Sequence, residues 1–266
     1  MNIFCYKHDI EKILYFYKTF GFVIIKDFFE KKQIKNTKNE ILNIVKKNKF
    51  FYYERIEKRL KLRRIEKISE YSKEAKKIIL SKKVFTIIKI IERDNYILFK
   101  DKINFKFAGG KGYLPHIDGH FLWKDKLNNK NYGWKKYSNN FVNLVVPLEK
   151  SDKSNGCLYI AKKKDTKKVG KDFNKIIRKL DANKNTLPKS LVKKIKFYPI
   201  ILNRGDLCIF NWKCAHFSKK NFSKNSRMIF YLTYCYKNKN KDVRKTYYFD
   251  KENSRGSESE KSLLHN

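Results

Sequence analysis

The sequence predicts a mainly β fold with α-helices packed at its N-terminal end, and three observations carry that expectation. After about residue 97, short β-branched and aromatic runs recur at regular spacing, set apart by Gly, Asn, Asp and Ser, as in a β-sandwich or barrel. Before that point, apolar residues recur at helical rather than alternating spacing. The 266-residue chain is 41% hydrophobic and 15% aromatic, enough to bury a sizeable core within one domain.

Residues 9–20 read as a short helix that Gly21 ends, followed by Phe22-Val23-Ile24-Ile25 as a buried strand. The Lys- and Glu-rich segment 30–80 carries Ile41, Leu42, Ile44 and Val45 at helical spacing and predicts two or three amphipathic helices. Residues 84–93 are apolar enough to pack against a sheet. Strands are predicted at 102–107, 113–118, 141–148, 157–160, 197–202, 207–211 and 228–235, with Asn155-Gly156 as a turn before one of them. A lysine-rich insertion at 161–196 interrupts the series and holds a predicted helix at 171–180. Gly109-Gly110-Lys111-Gly112 lacks the helix and the ending of a phosphate loop and reads as a turn. With no internal repeat and no Pro/Gly/Ser linker, the chain reads as one domain: a largely helical part over 1–97, a β core over 98–250 and a polar tail over 251–266.

Lys and Arg number 64 against 26 Asp and Glu, a formal charge of +38. Such a charge suits phosphate neutralisation, so a non-catalytic, highly basic nucleic-acid-binding protein on the same β fold is the alternative function. Only ten of the 64 are Arg, the residue that reads nucleic acid by bidentate pairing. Lys, Asn, Ile, Phe and Tyr are abundant together, the signature of AT-rich coding, so the lysines read as a solvated coat. That coat implies weak polyanion adhesion and no specific nucleic-acid partner. No apolar run reaches the roughly 18 residues of a membrane span, and the first residues lack a secretory pattern. The odd set Cys5, Cys157, Cys208, Cys214 and Cys235 contains no C-x-x-C pair and reads as buried free thiols in a reducing, cytoplasmic setting.

Among only five histidines, His116 opens a His-x-Asp pair. On a strand, His116 and Asp118 project to one face while Ile117 projects to the other, a two-ligand metal clip. A strand leading from Gly205-Asp206 to His216 brings a third ligand, completing the two-histidine, one-carboxylate set of non-haem Fe(II) oxygenases. That set leaves coordination positions open, unlike a closed structural zinc site. Ser218 lies two residues beyond His216 and Arg227 eleven. The segment 219–226 has hairpin composition, so Arg227 would open a neighbouring antiparallel strand, where it could grip the far end of a dicarboxylate. His120 falls on the same face as the clip if the strand continues. Trp123 and Trp134 lie in a long loop, 119–140, that reads either as a lid or as aromatics packed beneath a loop.

These residues resemble the phytanoyl-CoA dioxygenase family of Fe(II)/2-oxoglutarate oxygenases. The resemblance runs through Phe16-Tyr17-Lys18-Thr19-Phe20-Gly21-Phe22, Lys102 to Phe107, His116-Ile117-Asp118, Asn155-Gly156-Cys157-Leu158, Gly205-Asp206, His216-Phe217-Ser218 and Arg227. It implies a double-stranded β-helix (a cupin-like jelly roll) with the N-terminal helices outside. It also implies Fe(II) held by His116, Asp118 and His216, with 2-oxoglutarate and O2 as cosubstrates and succinate and CO2 as products. Arg227 and Ser218 would hold the 2-oxoglutarate carboxylate, with Asn104 and Asn143 as further cosubstrate contacts, and Asn143 faces inward if Val145 does. No catalytic residue beyond the metal ligands is implied. Ala161-Lys162-Lys163-Lys164 and Val145 depart from the family pattern, which points away from phytanoyl-CoA itself. Gly109 to Tyr113, and 231–234 followed by Tyr247-Tyr248-Phe249-Asp250-Lys251, look closer to phosphonate hydroxylases, so the substrate is expected to be a small organic molecule, phosphonate-like or acyl-CoA-like.

Overall fold

The computed structural model describes residues 4–5, 9–44, 50–92, 95–118, 120–124, 127, 129–179, 186–237 and 242–253. The N-terminal part contains β1 (Phe4–Cys5), α1 (Ile10–Phe20), β2 (Phe22–Ile25), α2 (Lys31–Leu42), β3 (Phe51–Ile56), β4 (Arg59–Glu66), α3 (Lys73–Ile79) and α4 (Lys82–Glu92). The first part of the β core then runs β5 (Tyr96–Lys106), β6 (Tyr113–Ile117), β7 (Leu122–Lys124), β8 (Lys130–Tyr132), β9 (Phe141–Pro147) and β10 (Leu158–Ala161). It closes with α5 (Lys163–Lys179), α6 (Lys189–Val192), β11 (Phe197–Ile200), β12 (Leu207–Asn211), β13 (Ala215–Ser218), β14 (Arg227–Tyr236) and α7 (Val243–Asn253).

Two sheets face each other. An eight-stranded sheet has the order β1-β2-β12-β9-β14-β5-β4-β3, and a four-stranded sheet has the order β11-β10-β13-β6. This is the expected mainly β double-stranded β-helix with helices outside. Strand alternation sorts the side chains into layers. Phe22, Ile24, Val145, Leu158, Ile160, Phe210 and Ile229 meet between the sheets. Their neighbours Val23, Ile25, Leu144, Val146, Ile209 and Phe230 face outward into a second core beneath the N-terminal helices.

Helix α1 forms because Asp9 accepts the Lys12 backbone N–H at 2.9 Å and Gly21 closes the last turn with φ +85°. Its buried residues Ile13, Tyr17 and Phe20 share one face. Helix α4 presents Val84, Ile87, Ile88 and Ile91 at the same spacing, each fully or almost fully buried. Burying one such side chain is worth about 1.5–3 kcal/mol, so this helix is held by its packed face. Opposite it, α5 covers the outer face of the small sheet, where Val169 and Phe173 meet Ile117 and Ala215.

Three sequence expectations need correction. Residues 51–66, expected to be helical, form the hairpin β3–β4, which extends the large sheet past β5. Its turn uses Glu57 and Lys58 at φ +48° and +64° rather than the Asn-Gly pair that would have announced it. Segment 219–226 is a crossover and not a hairpin, because β13 belongs to the small sheet and β14 to the large one. Residues 243–253 form α7, whose Val243, Tyr247 and Tyr248 are buried against Phe99 and Trp134, so the polar tail begins later than expected. Its remainder, 254–266, lies outside the described residues. Cys157, Cys208, Cys214 and Cys235 are buried free thiols. Among the described residues, no helix is long and apolar enough to cross a membrane.

Candidate active site

The small sheet brings the two histidines together by register, since His216 on β13 lies directly opposite His116 on β6. Their ring centroids are 4.2 Å apart. Asp118, in the turn that ends β6, points to the same side, with its Oδ2 3.7 Å from His216 Nε2. One ligand atom from each of the three residues lies within 4.8 Å of the others, the spacing of groups that share one ion.

Both rings are oriented by backbone. His116 Nδ1 lies 2.7 Å from the Leu114 carbonyl and His216 Nδ1 lies 3.0 Å from the Cys214 carbonyl. An Nδ1–H donated to each carbonyl leaves Nε2 with its lone pair for a metal. Asp118 is oriented in turn by Asn143 on β9, whose Nδ2 donates to Oδ2 at 2.8 Å, and the Thr233 hydroxyl donates to Asn143 Oδ1 at 2.8 Å. Asn143 and Val145 both face inward, as the alternation required.

The electrostatics suit a metal. Burial, reinforced by His216, pushes the His116 pKa down to about 3, and burial lowers His216 as well. Burial alone would raise the Asp118 pKa, but His216, Lys100, His116 and Lys102 outweigh it and lower it. Two neutral imidazoles and an ionised carboxylate are the protonation states a divalent ion needs. The donor set therefore fits Fe(II), with positions left open for other ligands.

A cavity enclosing about 490 Å³, open solvent at its mouth included, reaches from the triad between the sheets. Asn104, Asn143 and Ser218 line it, together with Tyr113, Lys100 and Lys102. Asn104 leaves its Oδ1 and Tyr113 its hydroxyl buried without a hydrogen-bond partner. Ser218 Oγ accepts from Lys106 Nζ at 2.8 Å and from the Tyr113 N–H at 3.3 Å. Both lone pairs are then used, so its hydroxyl hydrogen is a donor with no acceptor among the described residues, suited to a carboxylate in the cavity.

Arg227, the first residue of β14, is 1% exposed and does not itself line the cavity. Its guanidinium donates to the Gly156 carbonyl at 2.5 Å, and its Nε has no partner. Gly156, at φ +73°, sits where a Cβ would fall 2.4 Å from the Lys219 carbonyl oxygen, so glycine lets the two loops close on each other. His120 stands apart from the cavity, 6.0 Å from the Trp212 ring, and Trp123 and Trp134 are core residues. Sequence reasoning missed Lys100, Lys102, Lys106, Tyr113 and Thr233. The available signal was the alternation Lys100, Lys102, Asn104, Lys106 along one half-buried strand.

Comparison with known proteins agrees with this geometry. The chain is 28% identical over 171 residues to the 2-aminoethylphosphonate dioxygenase of Uncultured bacterium HF130_AEPn_1, covering 64% of this chain and 58% of that protein. It is 25% identical over 158 residues to the methylphosphonate hydroxylase of Gimesia maris, covering 59% and 52%. The chain thus spans between half and three fifths of the length of these relatives. In fold it is similar to EctD from S. alaskensis, solved with 2-oxoglutarate and 5-hydroxyectoine, with a TM-score of 0.64 and 13% identity over 83% of this chain and 73% of that one. The phytanoyl-CoA dioxygenase (PhyH) profile matches residues 17–229, a span that includes the triad and Arg227, and the chain belongs to that family.

Proposed function

We propose that this protein is an Fe(II)- and 2-oxoglutarate-dependent dioxygenase that hydroxylates a small anionic substrate, phosphonate-like in size and charge. The convergence of His116, Asp118 and His216 on one point carries the proposal. Iron and 2-oxoglutarate, when bound, supply the oxidation, with O2 consumed and succinate and CO2 released. The chain's own task is orientation. His116, Asp118 and His216 hold the metal on one side, Asn143 and Thr233 keep the carboxylate aimed, and Ser218 contacts the far carboxylate of the cosubstrate with the Arg227 guanidinium behind it as counter-charge. Asn104 lies on the cavity wall as a further polar contact.

Lys100 and Lys102 support an anionic substrate. Both line the cavity beside the triad, and both act on the Asp118 carboxylate strongly enough to help lower its pKa. Apart from Asp118, no carboxylate lines that cavity among the described residues. The two relatives named for phosphonates support the same substrate class.

The test measures succinate release with 2-aminoethylphosphonate, methylphosphonate and uncharged controls, alongside melting temperature with Mn(II) and 2-oxoglutarate. Joint stabilisation by metal and 2-oxoglutarate is expected, with turnover lost in His116→Ala and Asp118→Ala. Persistent turnover in both variants would remove the triad from the mechanism. No stabilisation by either ligand, together with metal-independent, salt-sensitive DNA binding, would favour the non-catalytic basic protein instead.

A further inference from the structure

Lys106, at the end of β5, is 3% exposed, and in the register of the large sheet it lies directly opposite Arg227. Its Nζ donates to Ser218 Oγ at 2.8 Å, to the Lys219 carbonyl at 2.7 Å and to the Gly156 carbonyl at 3.3 Å. That last carbonyl also accepts from Arg227, so an ammonium and a guanidinium converge on one oxygen. Among the described residues, neither cation makes an ion pair with a carboxylate. Glu54 lies nearby but not within ion-pair distance, so two buried cations are left incompletely compensated, a costly arrangement to fold around that an anion in the cavity relieves.

Building on the cosubstrate reading above, we propose that Lys106 is a positioning residue of the 2-oxoglutarate seat. It fixes the Ser218 hydroxyl as a donor into the cavity and adds a second positive charge behind Arg227. The pair thereby selects 2-oxo acids that end in a carboxylate. Ser218 is the contact, and Lys106 acts through it.

Burial first, then the Arg227 and Arg63 charges, disfavours the charge on Lys106, against the opposing pull of Glu54 and the Cys157 thiol. An incoming carboxylate supplies negative charge and offsets that cost.

The experiment uses the full chain loaded with Mn(II) under anaerobic conditions. Calorimetric dissociation constants are measured for 2-oxoglutarate and for 2-oxovalerate, which carries a methyl group where 2-oxoglutarate has its far carboxylate. Lys106→Met is expected to weaken 2-oxoglutarate at least 10-fold while changing 2-oxovalerate less than 3-fold, so the preference between the two acids shrinks. A merely structural lysine would weaken both alike, and an unchanged preference overturns the proposal. As a second variant, Ser218→Ala, which leaves Lys106 in place, is expected to lose the same preference for 2-oxoglutarate over 2-oxovalerate. An unchanged preference in Ser218→Ala also overturns the proposal. If neither acid binds the Mn(II)-loaded wild type, the cosubstrate reading itself fails. If both bind and only the Lys106→Met result is absent, the role of Lys106 alone fails.

Discussion

Lowering the pH from 7.5 to 5.0 is expected to weaken metal binding far less than two ordinary histidines would allow. An imidazole of pKa about 6.5 is almost fully protonated at pH 5.0, and displacing that proton costs a factor of about 30 in affinity relative to pH 7.5. Two such ligands together would cost about 900-fold on the same arithmetic. Here burial, then the neighbouring His216, holds His116 down to about 3, so it brings no proton to displace at pH 5.0. Burial also lowers His216, and Asp118 stays ionised because the surrounding positive groups outweigh its burial. The expected loss is therefore at most about 30-fold, set by His216 alone. Calorimetric Mn(II) titrations at pH 5.0, 6.0 and 7.5, without cosubstrate, read it directly. A loss approaching about 900-fold would refute the claim that the folded chain keeps these rings neutral. The same shift acts on stability. Below pH 6.5 the unfolded chain takes up a proton at His116 that the native chain refuses until about pH 3, so stability falls as the pH falls through that window. At pH 5.0 this one group costs the metal-free protein about 2 kcal/mol.

Asn143→Leu removes the donor to Asp118 Oδ2 and strands the Thr233 hydroxyl, and it is expected to weaken Mn(II) binding by about 10- to 100-fold, read by the same titration. Arg227→Met removes a buried cation and is expected to cost about 2–5 kcal/mol of 2-oxoglutarate affinity while leaving the Mn(II) constant unchanged; an unaltered 2-oxoglutarate constant would take Arg227 out of the seat. Gly156→Ala puts a Cβ 2.4 Å from the Lys219 carbonyl at φ +73°. Left-handed strain and the forced backbone shift together cost about 2–4 kcal/mol, seen as a fall in melting temperature by scanning calorimetry.

What was legible in the sequence followed from periodicity. His116 and Asn143 sit on strands and Asp118 just past the end of one, and a period of two assigned their faces before any coordinates did; His216 was found by its place after the Gly205-Asp206 strand. The β3–β4 hairpin was hidden because its strands carry Arg63, Arg64, Glu54 and Glu66 as buried residues, and charged positions imitate the solvent face of a helix. The lysines of β5 were hidden by composition. In a chain with 54 lysines, three that turn inward look like all the rest, and only register with Arg227 and the triad distinguishes them. The crossover before Arg227 was misread because turn-forming residues report that the chain reverses, not which sheet it enters.

Strand β5 behaves as a ruler. Its inward positions recur about every 6.7 Å, so Lys100, Lys102, Asn104 and Lys106 mark off about 20 Å from the neighbourhood of the metal to the guanidinium end. Each notch can be exchanged without disturbing Ile103 and Phe105, which hold the opposite face of the strand against the helices. On the proposed function, selectivity for the oxidised molecule and selectivity for the consumed keto acid would be written on one straight segment at separate marks. Either preference could then drift by single substitutions while His116 and His216, anchored in the other sheet, stay as they are.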